Sequence, residues 1–257
     1  LRYKKEKTVK VLALIPARMG SSRFPGKPMA PILGKPMIGH VHDRIVNCPM
    51  ATVTAVATCD EEIHGYITSI GGKAVMTSSS HERASDRCAE ALGYIESELE
   101  YKFDVVVMVQ GDEPMTNSDM IIEALGPMKR NSEVVVVNLL GEIGSMAEFE
   151  DRNCIKVVTD QNSDALYFSR EPIPTVSRTD AIPMKKQVCV IPFRRDFLLE
   201  YNAMEPTPLE IAESVDMMRV LENGKKVRMV PTKFNSFAVD TPEDLKKVEK
   251  IMREQHC

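Results

Sequence analysis

Apolar and polar positions along the chain follow two patterns that alternate. Short, continuous apolar runs rich in β-branched residues, such as 11–15 and 105–109, are typical of strands buried on both faces of a parallel sheet. Between these runs lie segments with apolar residues at helical spacing, beginning with 38–45. Strands that alternate with helices indicate a mostly parallel sheet flanked by helices. We therefore predict an α/β, Rossmann-like fold.

The same patterns place the remaining elements. The first strand is predicted to end at Pro16, which cannot donate a ladder hydrogen bond. A capping box at Thr207 and Glu210 predicts a single helix that runs to Glu222. The proline-rich segment 172–183 is predicted to be an extended arm. Further helices are expected to begin near 59, after 86 and after 241, and further strands lie at 51–57, 73–76, 134–137, 154–159, 187–193 and 227–230.

The loop after the first strand carries three cations, Arg18, Arg23 and Lys27. Small residues between them let the backbone approach a ligand with its N–H groups turned inward, namely Gly20, Ser21, Ser22 and Gly26. Three cations on one such loop fit a polyphosphate, and a solvated basic loop is the alternative. The loop matches neither the P-loop pattern GxxxxGK[ST] nor the dinucleotide pattern GxGxxG.

Two aspartates stand at strand-to-helix junctions that are far apart in the sequence. Asp112 follows Gly111 shortly after the apolar run 105–109, and Asp240 precedes the last predicted helix. Ligands collect at the carboxyl ends of strands in open α/β sheets, which places both carboxylates beside the cationic loop and the polar loop 77–86. Mg²⁺ uses one or two carboxylates together with phosphate oxygens, so the pair suits a magnesium–polyphosphate site. An aspartate that caps the next turn is the alternative for Asp112.

Size and composition narrow the class of protein. A chain of 257 residues with 43% hydrophobic residues can bury a full core as one domain, which we place at 9–257, with 1–8 as a flexible N-terminus. Its net charge of −4 argues against a nucleic-acid partner. Six scattered cysteines without zinc spacing predict free thiols in a reducing cytoplasm. No apolar stretch approaches the ~20 residues that span a membrane, so no membrane partner is expected.

Four motifs then stand in order along the chain. They are IPARMGSSRFPGKP from Ile15, VQGDEP from Val109, ALYFSR from Ala165 and VDTPEDL from Val239. Their order and spacing resemble those of the 3-deoxy-manno-octulosonate cytidylyltransferases, or CMP-Kdo synthetases, over nearly the whole chain. The resemblance implies a nucleotidyltransferase sheet in which 130–235 contribute a smaller mixed subdomain for acceptor binding and dimerisation.

The resemblance also implies an activity and a site. The reaction would be transfer of CMP from CTP to the anomeric hydroxyl of an acidic sugar, Kdo or a related acid, with release of pyrophosphate. Mg²⁺ would be the cofactor, held by Asp112 and Asp240, with catalytic roles for Arg18, Lys27 and Asp112 and a homodimer as the assembly. The residues it assigns to the nucleotide are Pro16, Ala17, Arg18, Ser21, Ser22, Arg23, Lys27, Ser78, His81, Arg87 and Gln110.

The chain departs from the family pattern in two regions. The polar loop has Ser78 and Ala84-Ser85 where the family has Arg and Gly-Thr. The family's His-x-Gly-x-Tyr-Gly-Tyr is QVCVIPF at 187–193, and a family glutamine is Met217. The changes in the polar loop concern recognition of the base. The changes at 187–193 and Met217 remove hydrogen-bonding groups from the half expected to bind the sugar, so we expect Kdo to be a poor acceptor. Three hypotheses stay open: a Kdo cytidylyltransferase, the same transfer to another acidic acceptor, and a catalytically idle nucleotide-binding homologue.

Overall fold

A computed structural model describes residues 9–21, 23–178 and 184–255. The predictions for residues 1–8 and for Ser22 lie outside the described residues. The strands are β1 (Val11–Ala17), β2 (Pro31–Ile32), β3 (Lys35–Pro36), β4 (Val53–Thr58), β5 (Ala74–Met76), β6 (Val105–Val109), β7 (Val137–Glu142), β8 (Lys156–Thr159), β9 (Ala165–Ser169), β10 (Lys185–Val188), β11 (Val190–Arg194) and β12 (Arg228–Pro231). The helices are α1 (Met37–Ile45), α2 (Glu61–Ser69), α3 (Ala84–Leu99), α4 (Ser118–Arg130), α5 (Met146–Glu150), α6 (Arg195–Asn202), α7 (Pro208–Glu213), α8 (Met217–Glu222) and α9 (Pro242–Gln255).

The first sheet has the strand order β11–β6–β1–β4–β5. Its strands β6, β1, β4 and β5 pair in parallel, and β11 joins the edge antiparallel to β6, which confirms the predicted mostly parallel α/β fold. The predicted end of the first strand at Pro16 is wrong, because β1 stays paired with β4 as far as Ala17. Pairing with β6 ends at Leu14, so Pro16 lies where β1 has a paired neighbour on one side, a position at which proline is tolerated.

The continuous apolar runs face helices on both sides of the first sheet. Leu12 and Leu14 of β1 pack into one cluster with α3 and α6. Ala13 and Ile15 point to the other face and pack with α1, α2 and α4. Since successive side chains of a strand alternate between faces, a strand covered on both sides is apolar throughout. This packing explains why 11–15 has no polar position.

A second, mixed sheet has the order β12–β7–β10–β8–β9. Here β12 is parallel to β7 and the other pairs are antiparallel. The second sheet adjoins the first through the bridge between Val136 and Phe193 and through a hydrogen bond of 2.8 Å from Arg194 N to Val135 O. All its strands fall within the predicted subdomain 130–235. The role of this subdomain in acceptor binding and dimerisation stays a prediction.

The predicted strand 187–193 is divided in the structure. Its two parts, β10 and β11, belong to different sheets. The break falls at Cys189, whose N–H donates to Glu113 Oε1 at 3.2 Å and whose carbonyl oxygen accepts from Gln110 N at 3.3 Å. These bonds carry the chain from the second sheet into the first, so a single strand was the wrong prediction.

The predicted helix 207–222 is also wrong as one element, since α7 ends at Glu213 and α8 begins at Met217. Between them Ser214 adopts the left-handed conformation, with φ 52°. Arg170 donates from Nε to the carbonyl oxygen of Glu213 at 2.6 Å and from Nη2 to that of Ser214 at 3.2 Å. The arginine thus satisfies carbonyl groups that a continuing helix would use, and the helix divides.

Two smaller differences and one finding complete the fold. The strand predicted at 134–137 begins at Val137. The predicted arm 172–183 has no regular element over 172–178, and its remainder lies outside the described residues. In the part of the chain that the structure describes, no helix is long and apolar enough to cross a membrane.

Candidate active site

Two adjoining cavities lie beyond the carboxyl ends of β1 and β6. The first cavity has a volume of about 430 Å³ and is bounded by the cationic loop after β1 and the loop that precedes α3. The second cavity, of about 330 Å³, lies between the end of β6, the second sheet and α9. Arg23, Gln110, Asp112 and Asp240 line both cavities. The two spaces therefore meet at the predicted metal carboxylates.

Most residues predicted to bind the nucleotide come together at the first cavity, namely Pro16, Ala17, Arg18, Ser21, Arg23, Lys27, His81, Arg87 and Gln110. Ser78 does not line it, because its hydroxyl shares a 2.7 Å hydrogen bond with Ser80 Oγ and its N–H donates to Glu90 at 2.8 Å. Gly20, one of the small residues predicted to let the loop backbone approach a ligand, also lines this cavity. Six further residues that line it were not predicted from the sequence, namely Pro28, Glu82, Arg83, Ala84, Gly111 and Ser214.

Two glycines allow the loops to approach each other. A Cβ at Gly111 would lie 2.9 Å from the carbonyl oxygen of Pro16, so the ends of β6 and β1 come this close only with glycine there. Gly26 has φ 75° and donates from its N–H to Met19 O at 2.9 Å, which closes the cationic loop. Met19 N in turn donates to Asp60 Oδ2 at 2.8 Å and ties the loop to the end of β4.

Lys27 holds the two predicted metal carboxylates together. Its ammonium donates to Asp112 Oδ2 at 2.6 Å, to Asp240 Oδ1 at 3.3 Å and to the carbonyl oxygen of Val239 at 3.0 Å. Burial by itself lowers the pKa of Lys27, but the two carboxylates outweigh burial and raise the pKa above its ordinary value. Lys27 therefore stays protonated at neutral pH.

The carboxylates of Asp112 and Asp240 fit a magnesium ion. Both converge on one cation, the Lys27 ammonium, and both line the two cavities. Mg²⁺ takes one or two carboxylate oxygens from a protein when phosphates and water supply its other ligands. Within the described residues, no cluster of three or more His, Cys, Asp or Glu side chains offers an alternative metal site.

The other two cations of the loop lie at the rim of the first cavity. Arg18 Nη1 donates to the carbonyl oxygen of His81 at 3.4 Å. The side chain of Arg23 is 48% exposed, donates from Nη2 to Asp240 Oδ1 at 2.8 Å and contacts Asn153 Oδ1. A guanidinium has five N–H donors, so both arginines keep donors for an anion.

The loop before α3 is held by two side chains of that helix. Glu90 accepts from Ser78 N at 2.8 Å and from His81 Nε2 at 2.6 Å. Arg87 is buried and donates to Thr77 Oγ1 at 2.5 Å and to the carbonyl oxygens of Ser78 and His81 at 3.4 Å. Both side chains support the loop from within, so contact between Arg87 and a nucleotide stays a prediction.

Arg83 is the most connected of the residues that sequence analysis missed. It donates from Nη1 to Asp216, and its Nε lies 3.1 Å from Glu210 Oε1. The buried Glu210 also accepts two hydrogen bonds of 2.7 Å from Arg219. Burial raises the pKa of Asp216, while Arg83 opposes that shift. Arg83 and Asp216 are 133 positions apart, so the sequence offered one signal, an arginine in a polar loop, and no indication of its partners.

The second cavity is lined by charged groups of both signs. Glu113 is buried and accepts from Ser236 Oγ at 2.6 Å and from Cys189 N at 3.2 Å. Lys186 is also buried, and its ammonium donates to Glu148 Oε1 at 2.6 Å. A cavity that offers carboxylates, ammonium groups and backbone carbonyls can bind a hydroxylated acid.

Only some of the positions that depart from the family pattern line the second cavity. Gln187 and Cys189 line it, and Gln187 Nε2 donates to Asn138 Oδ1 at 2.6 Å. Ile191 and Phe193, at the family's tyrosine positions, are buried in the core instead, as is Met217. The expectation that these three positions face the acceptor is therefore wrong, because their side chains are buried in the hydrophobic core.

The chain is similar to known cytidylyltransferases over most of its length. A family model described as Cytidylyltransferase matches residues 12–227. The 3-deoxy-manno-octulosonate cytidylyltransferase of Geobacter metallireducens is 42% identical in an alignment of 259 positions that covers 96% of this chain and 100% of the relative. The enzyme of that name from Geotalea daltonii is 41% identical over 258 residues, with the same coverage of 96% and 100%.

Solved structures lead to the same class. A CMP:2-keto-3-deoxy-manno-octonic acid synthetase complexed with CTP superposes with a TM-score of 0.85 at 35% identity, over 96% of this chain and 99% of that one. A 4-diphosphocytidyl-2C-methyl-D-erythritol synthase from Anaerococcus prevotii, 13% identical, shares the fold with a TM-score of 0.63. Fold and sequence together define a nucleotidyltransferase. Within that class, the chain belongs to the family of the 3-deoxy-manno-octulosonate cytidylyltransferases, as its motifs predicted.

Proposed function

We propose that the chain transfers CMP from CTP to 3-deoxy-manno-octulosonate (Kdo) and releases pyrophosphate. The observation that carries the proposal is the pair of cavities that meet at Asp112 and Asp240. One has the cationic loop that a triphosphate needs, and the other has the polar lining that a hydroxylated acid needs. The names of near-full-length relatives support Kdo as the acceptor.

The first cavity would bind CTP. Arg18, Arg23 and Lys27 supply positive charge for the triphosphate, and the backbone around Gly20 and Ser21 can approach it closely. The base would lie towards Ala17 and the loop before α3, because these are the remaining walls of that cavity.

Asp112 and Asp240 would hold Mg²⁺ together with phosphate oxygens. When bound, the ion neutralises phosphate charge and favours the ionised acceptor hydroxyl. Lys27 already contacts both carboxylates, and its positive charge would stabilise the negative charge of the leaving pyrophosphate.

The chemical step breaks a phosphoanhydride bond of CTP and forms a phosphoester bond to the acceptor. The anomeric hydroxyl oxygen of the acceptor bonds to the α-phosphorus, the bond from that phosphorus to the pyrophosphate oxygen breaks, and the hydroxyl loses its proton. No covalent bond to the protein is needed. The chain contributes by aligning the contents of the two cavities across Asp112 and Asp240 and by stabilising negative charge.

We further infer a homodimer that assembles through the second sheet. Its support is two exposed apolar side chains, with Leu166 on the edge strand β9 61% exposed and Ile211 on α7 64% exposed. A monomer in light scattering at high protein concentration would contradict it. The five described cysteines are free, which supports a location in the reducing cytoplasm.

Pyrophosphate release from CTP, measured with Mg²⁺ and Kdo, tests the proposed function. We expect release that depends on Kdo and equals the CMP-sugar formed. Release with another sugar acid but not with Kdo would keep the transfer and change the acceptor. No release with any acid in a panel would favour the catalytically idle homologue.

A further inference from the structure

One wall of the second cavity is an aromatic ring with two ammonium groups close to it. The ring of Phe237 has Lys186 Nζ at 5.0 Å and Lys247 Nζ at 5.2 Å from its centroid. Both distances fall within the range of attraction between a cation and an aromatic face. Phe237 packs against the cluster that holds Val239 and Val248, so the ring is anchored and can fix the position of both ammonium groups.

The charge of Lys186 is already neutralised. Its ammonium donates to Glu148 Oε1 at 2.6 Å, and the side chain is buried. Burial by itself raises the pKa of Glu148, but hydrogen bonds from Lys186 and from Gly144 N–H outweigh it and lower the pKa below its ordinary value. Glu148 is therefore ionised at neutral pH, and it forms a neutral pair with Lys186.

The other cations that line the second cavity also have partners. Arg23 donates to Asp240 Oδ1 and contacts Asn153. Arg170 uses its guanidinium for three backbone carbonyls, those of residues 152, 213 and 214, at 2.6–3.2 Å. By contrast, the Lys247 ammonium makes no hydrogen bond or ion pair within 9–21, 23–178 and 184–255; it lies 5.2 Å from the Phe237 ring centroid, and its charge adds to the lowering of the Glu148 pKa without a direct bond to that carboxylate. It is the cation that this cavity leaves available.

On helix α9, Lys247 points towards Asp112 and Asp240, the carboxylates that line both cavities. Asp244, Lys247 and Val248 lie on the face of α9 that lines the second cavity. Side chains of a helix lean towards its N-terminus, and the N-terminus of α9 directly follows Asp240. Asp244 Oδ2 accepts from the N–H groups of Asp240 and Thr241 at 3.2 and 2.9 Å, so Asp240 and Lys247 belong to one rigid unit.

We propose that Lys247, held by the ring of Phe237, binds the carboxylate of the acceptor and selects acidic acceptors. In a 2-keto sugar acid the carboxylate is bonded to the anomeric carbon, so a cation that recognises it must lie near the carboxylates where the hydroxyl reacts. The Phe237 ring also offers an apolar surface to the carbon chain of the acceptor. This inference rests on the proposed function and deepens it by naming the group that recognises the acid.

The test compares Lys247→Gln with Lys247→Arg, using Kdo as the acceptor and full-length protein. A hydrogen bond to a charged group contributes about 1.5–3 kcal/mol, so Lys247→Gln should raise the KM for Kdo roughly tenfold to a hundredfold. The KM for CTP should stay unchanged, since Lys247 lines the second cavity and not the first. Lys247→Arg should restore the KM for Kdo, because it restores the charge.

Lys246→Gln is the matched control. Lys246 is exposed on the same helix, carries the same charge and does not line the second cavity, so its replacement should leave both KM values unchanged. Phe237→Leu should raise the KM for Kdo by a smaller factor than Lys247→Gln, because it keeps the charge and removes the ring. Far-UV circular dichroism of each variant checks the fold.

Two outcomes would overturn the proposal in different ways. If the unaltered chain turns over Kdo while Lys247→Gln keeps its KM, or Lys246→Gln raises KM equally, the carboxylate subsite is wrong and the proposed function stands. If the unaltered chain releases no pyrophosphate with any sugar acid, the proposed function fails and the subsite fails with it.

Discussion

The two cavities are held in shape by different parts of the chain. At the first, backbone contacts at strand ends set the shape of one side, where the chain at Gly111 approaches Pro16 and the loop from Met19 to Gly26 closes on itself. The second depends on long side chains that join distant segments. Lys186, for example, is buried and donates to Glu148 Oε1, 38 positions away, at 2.6 Å.

This difference separates what the fold provides from what side chains add. A parallel sheet with loops at its carboxyl edge offers inward N–H groups and a place for cations, which suits a triphosphate. Recognition of a particular acid needs polar side chains at defined positions, and these come from several elements of the second sheet. The departures at Gln187 and Cys189 lie in this second region, where one side chain can change without moving the sheet.

The largest expected effect comes from substitutions of Asp112 and Asp240, the two carboxylates that line both cavities. Asp112→Asn and Asp240→Asn keep the side-chain shape and remove a charge that Mg²⁺ and Lys27 both need. We expect each to lower kcat by about a thousandfold with little change in the thermal midpoint of unfolding. Steady-state pyrophosphate release over a range of Mg²⁺ concentrations measures the effect.

Asp196→Asn is a suitable control for this pair. Its carboxylate is 90% exposed and bonds Arg195 at the surface, so its removal should leave turnover within about twofold. An Asp240→Asn variant that keeps most of its magnesium-dependent activity would show that the two cavities do not share a metal.

A second test concerns the backbone contact that shapes the first cavity. In Gly111→Ala the new Cβ would lie 2.9 Å from Pro16 O and 3.2 Å from Ile38 Cδ1, so the end of β6 must shift and Asp112 with it. A displacement of about 1 Å at a reacting group can cost roughly a hundredfold in rate, and we expect a loss of kcat of that order.

Gly65→Ala provides the comparison for Gly111→Ala. Nothing lies within 4 Å of a Cβ at Gly65, which is inside α2, so alanine should raise the free energy of unfolding by about 0.5–1 kcal/mol and leave kcat unchanged. Normal turnover by Gly111→Ala would mean that backbone approach does not define the first cavity.

The contrast between local signals and contacts between distant residues also determines how much of the structure could be predicted from the sequence. The run 11–15 and the small residues after it are local signals, because burial on both faces demands apolar side chains and close approach demands glycine. The break at Ser214 has no such signal. The capping box at Thr207 fixes where α7 begins, but Arg170, 44 positions away from Ser214, ends it.

The division of the predicted strand 187–193 could not be predicted from the sequence for a related reason. Its apolar pattern continues through Cys189, yet the N–H of that residue donates to Glu113, 76 positions away, and the chain changes sheets there. A pattern of local hydrophobicity cannot report a hydrogen bond between such distant residues. The placement of Ile191 and Phe193 in the core follows from that change of sheet.

A third prediction concerns the ionisation of Glu113, a buried residue that lines the second cavity. Burial raises the pKa of this carboxyl, nearby Asp112 adds to the shift, and hydrogen bonds from Ser236 and Cys189 oppose it. Ionisation is therefore less favourable in the fold than in the unfolded chain. Wild-type stability should fall as pH rises above about 4.3, the ordinary pKa of a glutamate, until the raised folded-state pKa is passed.

Glu113→Gln removes this titration. The free energy of unfolding of the variant, minus that of the wild type, should increase between pH 4 and pH 8 in urea titrations at each pH. Glu133→Gln, at an exposed position, should show no such trend. A constant difference for Glu113→Gln across this range would mean that the carboxyl titrates alike in both states.

The smallest expected effect comes from substitutions at positions where the chain departs from the family pattern. Gln187→His restores the family residue at a position that lines the second cavity, and one hydrogen bond contributes about 0.5–1.5 kcal/mol, so kcat/KM for Kdo should rise roughly threefold to tenfold. Ile191→Tyr restores a family residue at a core position, where the larger side chain should cost about 1–3 kcal/mol of stability and bring no gain with Kdo. Parallel kinetics and urea unfolding measure both variants. If Ile191→Tyr improved Kdo turnover, the tyrosine position would face the acceptor after all, and the expectation that this chain handles Kdo poorly would regain its basis.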